Sequence, residues 1–421
     1  MRCNTNNREM QFENLRKFLK QGKSQKSPYY TLKATSKRAK LLGKLLRRAY
    51  KPDSIVAWRN SFVPSEIFHA LDIVPFFVEG FSSMLSGSGL SAPLLNKCEK
   101  ENYSTDTCSF LRCGIGAAVE DILPSPNFVI ATSHYCDGAP IALYNLSKKY
   151  NADFYLIDVP YDYNSPEAVD YVAEQLKDLT MKLAVKLGKS LDVEDRLKEV
   201  IGFSNKAREY FVKINELRKH RPCPMLGGEA IDYVALLSPT WGSKEVVEIY
   251  ELLYEELKER VEKKIGALKE EKYRILWRNL RPYYNDRVLN YLENECKAVI
   301  VFEEVNEVVW GNLDIKNPFH SLASKLLANS ALGEMKHRLD LTILNPLEEY
   351  EIDGVIGFAH WGCRHLNGND QIFRDILIKK NMPFLVLDGD CIENRNFSFG
   401  QIKTRIDAFI EKLEQKKGEA Y

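Results

Sequence analysis

The chain has 421 residues, 45% hydrophobic and 28% charged, which excludes a disordered polypeptide and is too long for one ordinary core. Its 59 Lys and Arg residues nearly cancel its 58 Asp and Glu residues, so no strong field favours nucleic acid or an anionic membrane. No apolar run reaches the roughly 18–20 residues of a membrane span, and the polar start MRCNTNNREMQFENLRKF lacks a secretory apolar stretch; the expectation is a cytoplasmic protein.

Residues 1–60 are rich in Lys, Arg and Leu at helical spacing, as in Ala39-Lys-Leu-Leu-Gly-Lys-Leu-Leu-Arg-Arg, and read as an N-terminal helical segment. Residues 61–165 read as a first α/β domain. Ile73–Val78, Phe128–Thr132 and Phe154–Ile157 are short apolar runs bounded by turn residues, as buried parallel strands require, and Ala139–Tyr150 has a helical pattern between the last two. Ser83–Gly89 reads as a flexible polar loop near a ligand.

Residues 166–272 are charged and mostly helical, a connector in which Val193–Arg218 and Lys244–Lys272 keep the 3.6-residue period around a Pro- and Gly-rich loop at 221–228. Residues 273–421 form a second α/β domain. Its strand candidates are Arg274–Trp277, Ala298–Phe302, Gly354–Phe358 and Phe384–Leu387, and an amphipathic helix over Ser398–Lys416 follows. The expected fold is therefore α/β, with two flavodoxin-like (Rossmann-like) parallel-sheet domains, a helical N-terminal segment and a helical connector.

A constellation repeats between the two domains. Phe128-Val-Ile-Ala-Thr-Ser leads into His134-Tyr135-Cys136-Asp137, and Gly354-Val-Ile-Gly-Phe-Ala leads into His360-Trp361-Gly362-Cys363-Arg364. Each places a thiol just past a strand's carboxyl end, the edge where open α/β sheets build binding sites. If the domains face each other, Cys136 and Cys363 converge; duplication of a buried structural cysteine is the alternative.

Seven further cysteines complete an odd total of nine, which with no secretory signal argues against a disulfide framework. Cys108, in Thr105-Asp-Thr-Cys108-Ser-Phe-Leu-Arg-Cys113, is expected at the start of a helix capped by Asp106 or Thr107, where its pKa would be lowered. Cys113 lies about one and a half turns on and is equally well a core residue. Cys391 ends the last strand on the same edge as Cys363, and Cys98 lies about one loop before Cys108. Cys3, Cys223 and Cys296 read as small buried hydrophobes.

No closely paired C-x₂-C occurs, so zinc is the weaker reading, although His134, His360 and His365 keep a mixed Cys/His site open. Thiolates from distant segments suit an iron–sulfur cluster, with a Cys136–His134 nucleophilic pair as a further option. Neither a Walker A sequence nor a G-x-G-x-x-G after a strand is present.

These residues carry a family resemblance. Thr107-Cys108-Ser-Phe-Leu-Arg, Pro124-Ser-Pro-Asn, His134-Tyr-Cys-Asp137, Phe154-Tyr-Leu-Ile-Asp158-Val-Pro160 and His360-Trp-Gly-Cys363-Arg resemble the 2-hydroxyacyl-CoA dehydratase and benzoyl-CoA reductase family. So does the ending Asp388-Gly-Asp390 with Gln401-Ile-Lys-Thr404-Arg405-Ile-Asp-Ala-Phe409. The resemblance implies an oxygen-sensitive iron–sulfur cluster on Cys108, Cys136 and Cys363. It also implies a separate, dimeric, ATP-hydrolysing iron–sulfur activator protein that delivers low-potential electrons.

Two branches of the family lead to different expectations. The double-cubane cluster reductases are homodimers whose chains each hold an [8Fe-9S] group on about six thiolates and reduce a small substrate. Cys98, Cys113 and Cys391 are the extra thiols here, and this branch is the favoured expectation. The dehydratases instead pair two unlike subunits with one [4Fe-4S] cluster each and remove water from a 2-hydroxyacyl-CoA. His134, His360 and Arg364 flank the cysteines as candidate catalytic groups. A non-enzymatic iron–sulfur carrier or scaffold is the reading from another class.

Overall fold

The computed structural model describes residues 7–22, 31–134, 136–162, 165–189, 192–329 and 335–419. Cys3 and Tyr135 lie outside them. Two four-stranded, wholly parallel sheets organise the chain. In the first, β1 (Val56–Arg59), β2 (Val74–Phe77), β3 (Phe128–Thr132) and β4 (Asp153–Ile157) run in the order β2-β1-β3-β4. In the second, β5 (Tyr273–Arg278), β6 (Ala298–Glu303), β7 (Gly354–His360) and β8 (Phe384–Gly389) run in the order β6-β5-β7-β8. The two orders are the same, and both are the flavodoxin-like arrangement in which the chain changes direction across the sheet between the two central strands.

β1, β3, β5, β6 and β7 are buried along their whole length, as near-continuous apolar runs require when both faces are covered. β1 falls inside the stretch read as helical. Four residues following a Lys- and Leu-rich helix carry too little period to announce a strand, yet β1 is central in its sheet. Helices α1 (Arg8–Leu19) and α2 (Lys33–Ala49) account for the helical reading before it.

Three short helices follow, α3 (Ser65–Ala70), α4 (Val78–Gly87) and α5 (Ser91–Lys100), and then α6 (Ser109–Val119). The expected polar loop at Ser83–Gly89 is thus mostly helix. The hydroxyls of Ser82 and Ser86 are buried and donate to the carbonyls of Phe110 and Ile392, so these serines lock α4 in place. The sheets share one apolar core, in which Trp58 and Val129 belong to the same cluster as Trp277 and Phe358, with α5 and α6 filling the space between.

α7 (Gly138–Lys149) joins β3 to β4. The connector comprises α8 (Pro166–Leu187), α9 (Val193–Arg218), α10 (Gly227–Leu237) and α11 (Lys244–Glu262). Ser165 caps α8 ahead of Pro166, and Gly188 closes it in the left-handed region (φ 67°). α11 stops at Glu262, ten residues short of the expected end, because Lys264 turns the chain with φ 54° and Ala267 then bonds to the Cys223 carbonyl. Among the described residues no helix is long and apolar enough to cross a membrane.

Candidate functional site

The carboxyl ends of both sheets open onto one cavity of about 380 Å³. Cys108, Cys136 and Cys363 all line it, together with His134 and His360. Cys136 follows β3, Cys363 follows β7, and Cys108 is the residue immediately before α6. The thiols influence one another: ionised Cys363 and Cys136 both raise the pKa of Cys108, and ionised Cys136 raises that of Cys363.

Two anchors fix Cys108. The Ser109 hydroxyl donates to Asp390 Oδ1 (2.5 Å), and that oxygen also accepts the amides of Ile392 and Glu393 (2.7 Å each), so the start of α6 is tied to the loop after β8. Arg112, buried one turn on, pairs with Glu393 (2.7 Å) and Glu99 (2.9 Å). The cap is Cys108 itself, rather than Asp106 or Thr107. Nor is its pKa lowered: burial pushes it up to about 12, against the opposing pull of the Phe110 and Leu111 amides. Helix-end stabilisation of a thiolate is smaller than the cost of removing it from water.

His360 is buried and bridges two of these segments. The Cys391 amide donates to its Nδ1 (3.1 Å), and its Nε2 lies 3.4 Å from Cys108 Sγ. Phe110 packs edge-on against the imidazole at 5.3 Å between ring centres. Burial lowers the pKa of His360, with Asp390 acting to raise it. His134 packs against Phe62 with the rings tilted by 40° and their centres 4.9 Å apart, and burial drives its pKa down to about 3, so it is neutral under ordinary conditions. Arg364 is exposed and does not line the cavity; the first residue of a short helix after Cys363, it projects to solvent.

The other cysteines divide. Cys391 is fully buried beneath the trio, close enough that ionised Cys108 and Cys363 raise its pKa, but it does not line the cavity. Cys98 and Cys113 lie in the α5–α6 packing, where burial raises them to about 11 and about 12. Cys113 faces the core because it stands five residues into α6, on the side turned from Cys108. Cys223 is buried under the second sheet, its thiol donating to the Met225 carbonyl, and Cys296 is half-buried elsewhere.

A second repeat escaped the sequence reading although it is written there. Trp58-Arg59-Asn60 ends β1 and Trp277-Arg278-Asn279 ends β5. Asn60 clasps Thr132 on β3, and Asn279 bonds to the Phe358 carbonyl on β7 (3.3 Å), so each asparagine ties the two central strands where the chain order reverses. Past the neighbouring strands stand Glu79 (after β2) and Glu304 (after β6), both lining the cavity.

Their environments diverge. Glu304 pairs with Arg338 (2.8 Å), lies 3.6 Å from Arg278 and accepts from Thr342, and these cations hold its pKa down to about 2. Burial raises the pKa of Glu79 to about 7 against the opposing charge of Arg59, and its enclosed Oε2 has no hydrogen-bond partner among the described residues. One carboxyl is thus held charged, while the other takes up a proton near neutrality.

The remaining wall is apolar and aromatic. Phe62, Val63, Trp241, Trp310 and Leu326 line it, Trp241 and Trp310 meeting edge to face at 5.7 Å. Lys325, paired with buried Glu66 at 2.6 Å, lies over both indoles. Such a chamber suits an apolar group carrying a few polar atoms.

The donor set, three thiols at one cavity, is compatible with a polynuclear metal group. Among the described residues no three His, Cys, Asp or Glu side chains close tightly enough to share one ion. A tetrahedral zinc ion would need thiolate sulfurs at about 2.3 Å from a common centre. Three thiols round one cavity suit a larger group, whose ligands stand further apart.

The chain is similar to known proteins over most of its length. Residues 60–413 match the family described as 2-hydroxyglutaryl-CoA dehydratase, D-component. The (R)-phenyllactyl-CoA dehydratase alpha subunit of Clostridium sporogenes is 24% identical over 376 residues, covering 86% of this chain and 90% of the relative. The alpha subunit of the lactoyl-CoA dehydratase of Anaerotignum propionicum is 24% identical over 406 residues (87% and 93%). A benzoyl-CoA reductase subunit of Thauera aromatica is 24% identical over 399 residues (86% and 90%).

Proposed function

The chain belongs to the 2-hydroxyglutaryl-CoA dehydratase, D-component, family, and on that premise we propose that it is a subunit of an enzyme that dehydrates or reduces a CoA thioester, with an iron–sulfur cluster held by Cys108, Cys136 and Cys363. The observation that carries the proposal is the meeting of these three thiols, from segments up to 255 positions apart, at one cavity between two sheet edges. Three thiolates suit a single [4Fe-4S] cluster that keeps one iron open, and this reading displaces the double-cubane expectation as the favoured one. When bound, such a cluster supplies a low-potential electron and an open coordination position.

The chain's own residues do the rest. The thiolates orient the group, and His360 contacts the sulfur of Cys108. Phe62, Trp241, Trp310 and Leu326 exclude water around the substrate's apolar portion. Glu79 exchanges a proton at Oε2, its pKa near 7 matching either direction of transfer. Arg59, at the end of β1, supplies positive charge beside it. The electron comes from the ATP-hydrolysing iron–sulfur activator protein. The relatives are themselves named as single subunits of their enzymes, which supports assembly with a second, unlike chain.

Iron and sulfide analysis of anaerobically purified protein, followed by assay of the chain assembled with its partner subunit, with activator, ATP and a set of 2-hydroxyacyl- and aryl-CoA thioesters, tests the proposal. About four irons per chain and ATP-dependent turnover support it. Iron that passes to an acceptor protein without any turnover favours a carrier, and a chain that binds no iron overturns the reading.

A second reading rests on Cys391, whose place beneath Cys108 and Cys363 offers a fourth thiol. A double-cubane group in a homodimer needs about two more, and Cys98 and Cys113 would have to leave the α5–α6 core to provide them. About eight irons per chain would favour it.

A further inference from the structure

The geometry around His360 goes one step beyond holding a metal group. Nδ1 accepts the Cys391 amide hydrogen at 3.1 Å, so that nitrogen carries no proton of its own. A neutral imidazole has one N–H, which must then be on Nε2. Nε2 lies 3.4 Å from Cys108 Sγ. The hydrogen bond therefore has a direction: imidazole to sulfur.

Further contacts hold the ring, with Asp390 Oδ2 3.8 Å from Nδ1. Phe110 fixes the ring plane from α6, and Asn367 donates to the His360 carbonyl (2.7 Å). The Cys391 amide is held by the turn in which Asp390 Oδ1 accepts the next two amides, and the same oxygen accepts from Ser109, the neighbour of Cys108. Donor, acceptor and tautomer-setting amide thus belong to one connected network across the two domains. An N–H directed at a thiolate withdraws electron density from the sulfur, which stabilises the reduced state of whatever metal group the sulfur holds.

We infer that His360 is a positioning residue: with Nδ1 occupied by the Cys391 amide, its Nε2–H donates to the Cys108 sulfur and raises the reduction potential of the group bound there. This rests on the iron–sulfur reading above. It involves no change in the charge of His360 and assigns it no contact with substrate.

Two measurements on the full chain separate the inference from its premise. In iron-free protein, ¹⁵N spectra of the imidazole should show a protonated Nε2 and an unprotonated Nδ1; the reverse tautomer overturns the inference whether or not iron binds. In reconstituted protein, redox titration followed by electron paramagnetic resonance compares wild type with His360→Leu and His360→Gln. His360→Leu should retain iron and shift the one-electron equilibrium about tenfold towards the oxidised state, about 59 mV lower. His360→Gln, which keeps an N–H, should recover part of that shift. Equal potentials in all three proteins at equal iron content overturn the inference. Loss of iron from wild type as well would count against the premise, leaving the tautomer measurement to decide the geometry.

Discussion

Gly362 packs directly on the backbone of Cys108. A side-chain carbon at Gly362 would stand 3.1–3.2 Å from the Asp106 carbonyl oxygen and from the Cys108 nitrogen and α-carbon, and the residue already sits at φ 77°. That close approach is what brings the segment carrying Cys363 against the segment carrying Cys108. Gly362→Ala should cost about 1–2 kcal/mol from the left-handed backbone alone, and more from the forced separation. Thermal unfolding reads the first effect. Iron content after reconstitution reads the second, and should fall more than in Gly311→Ala, where the surroundings are open.

The cysteines should sort by position. Cys108→Ser, Cys136→Ser and Cys363→Ser should each lose most bound iron while the chain remains folded. Cys98→Ser and Cys113→Ser should keep iron but lose about 1–3 kcal/mol of stability, because a buried hydroxyl replaces a thiol in an apolar core. Iron loss in the second pair equal to that in the first trio would contradict the single-cluster reading.

Glu79 has a consequence for both activity and stability. Its carboxyl keeps a proton to about pH 7, against an ordinary value of 4.5. Between those limits the folded chain binds more protons than the unfolded one, so Glu79 makes stability fall as pH rises through this window. Glu79→Gln should remove that part of the slope, which denaturant titrations at the lower and upper ends of this window would register. Turnover should drop on the order of 10²–10⁴-fold with substrate binding little changed.

The connector is fastened to the second sheet by a buried ion pair. Arg218 on α9 meets Glu303 at the end of β6 through two bonds of 2.7 and 2.6 Å, and Asn306 adds a third contact to the carboxylate. Arg218→Met should destabilise by about 3–5 kcal/mol, because Glu303 is left charged and uncompensated in the interior. The double variant with Glu303→Leu should recover a large part. A double variant no better than the single one would mean that packing rather than charge dominates.

Seven of the eight strands, the long helix Val193–Arg218 and the repeated His-to-Cys segments were legible in the sequence because they are local. Apolar runs mark buried parallel strands, and a strand's carboxyl edge marks where a thiol is useful. That logic singled out Cys136 and Cys363, while Cys108 stood out by its helix-start setting and the family motif, and the structure brings all three to one cavity. It would also have found Glu79 and Glu304 had it been applied to carboxylates, and the two Trp-Arg-Asn segments had the repeat been sought at β1.

Tertiary structure alone decided the rest. Whether Cys113 faces the cavity or the core depends on which side of α6 packs against α5, and a five-residue spacing does not specify it. Arg364 points to solvent because the short helix after Cys363 presents it there. The pKa of Cys108 rises instead of falling because burial outweighs the helix end, and burial is set by segments far away in the chain. Glu79 and Glu304 separate for the same reason: burial outweighs the Arg59 charge at Glu79 and raises its pKa, whereas Arg338 and Arg278 outweigh burial at Glu304 and lower it, and both settings are assembled only when distant strands and helices meet.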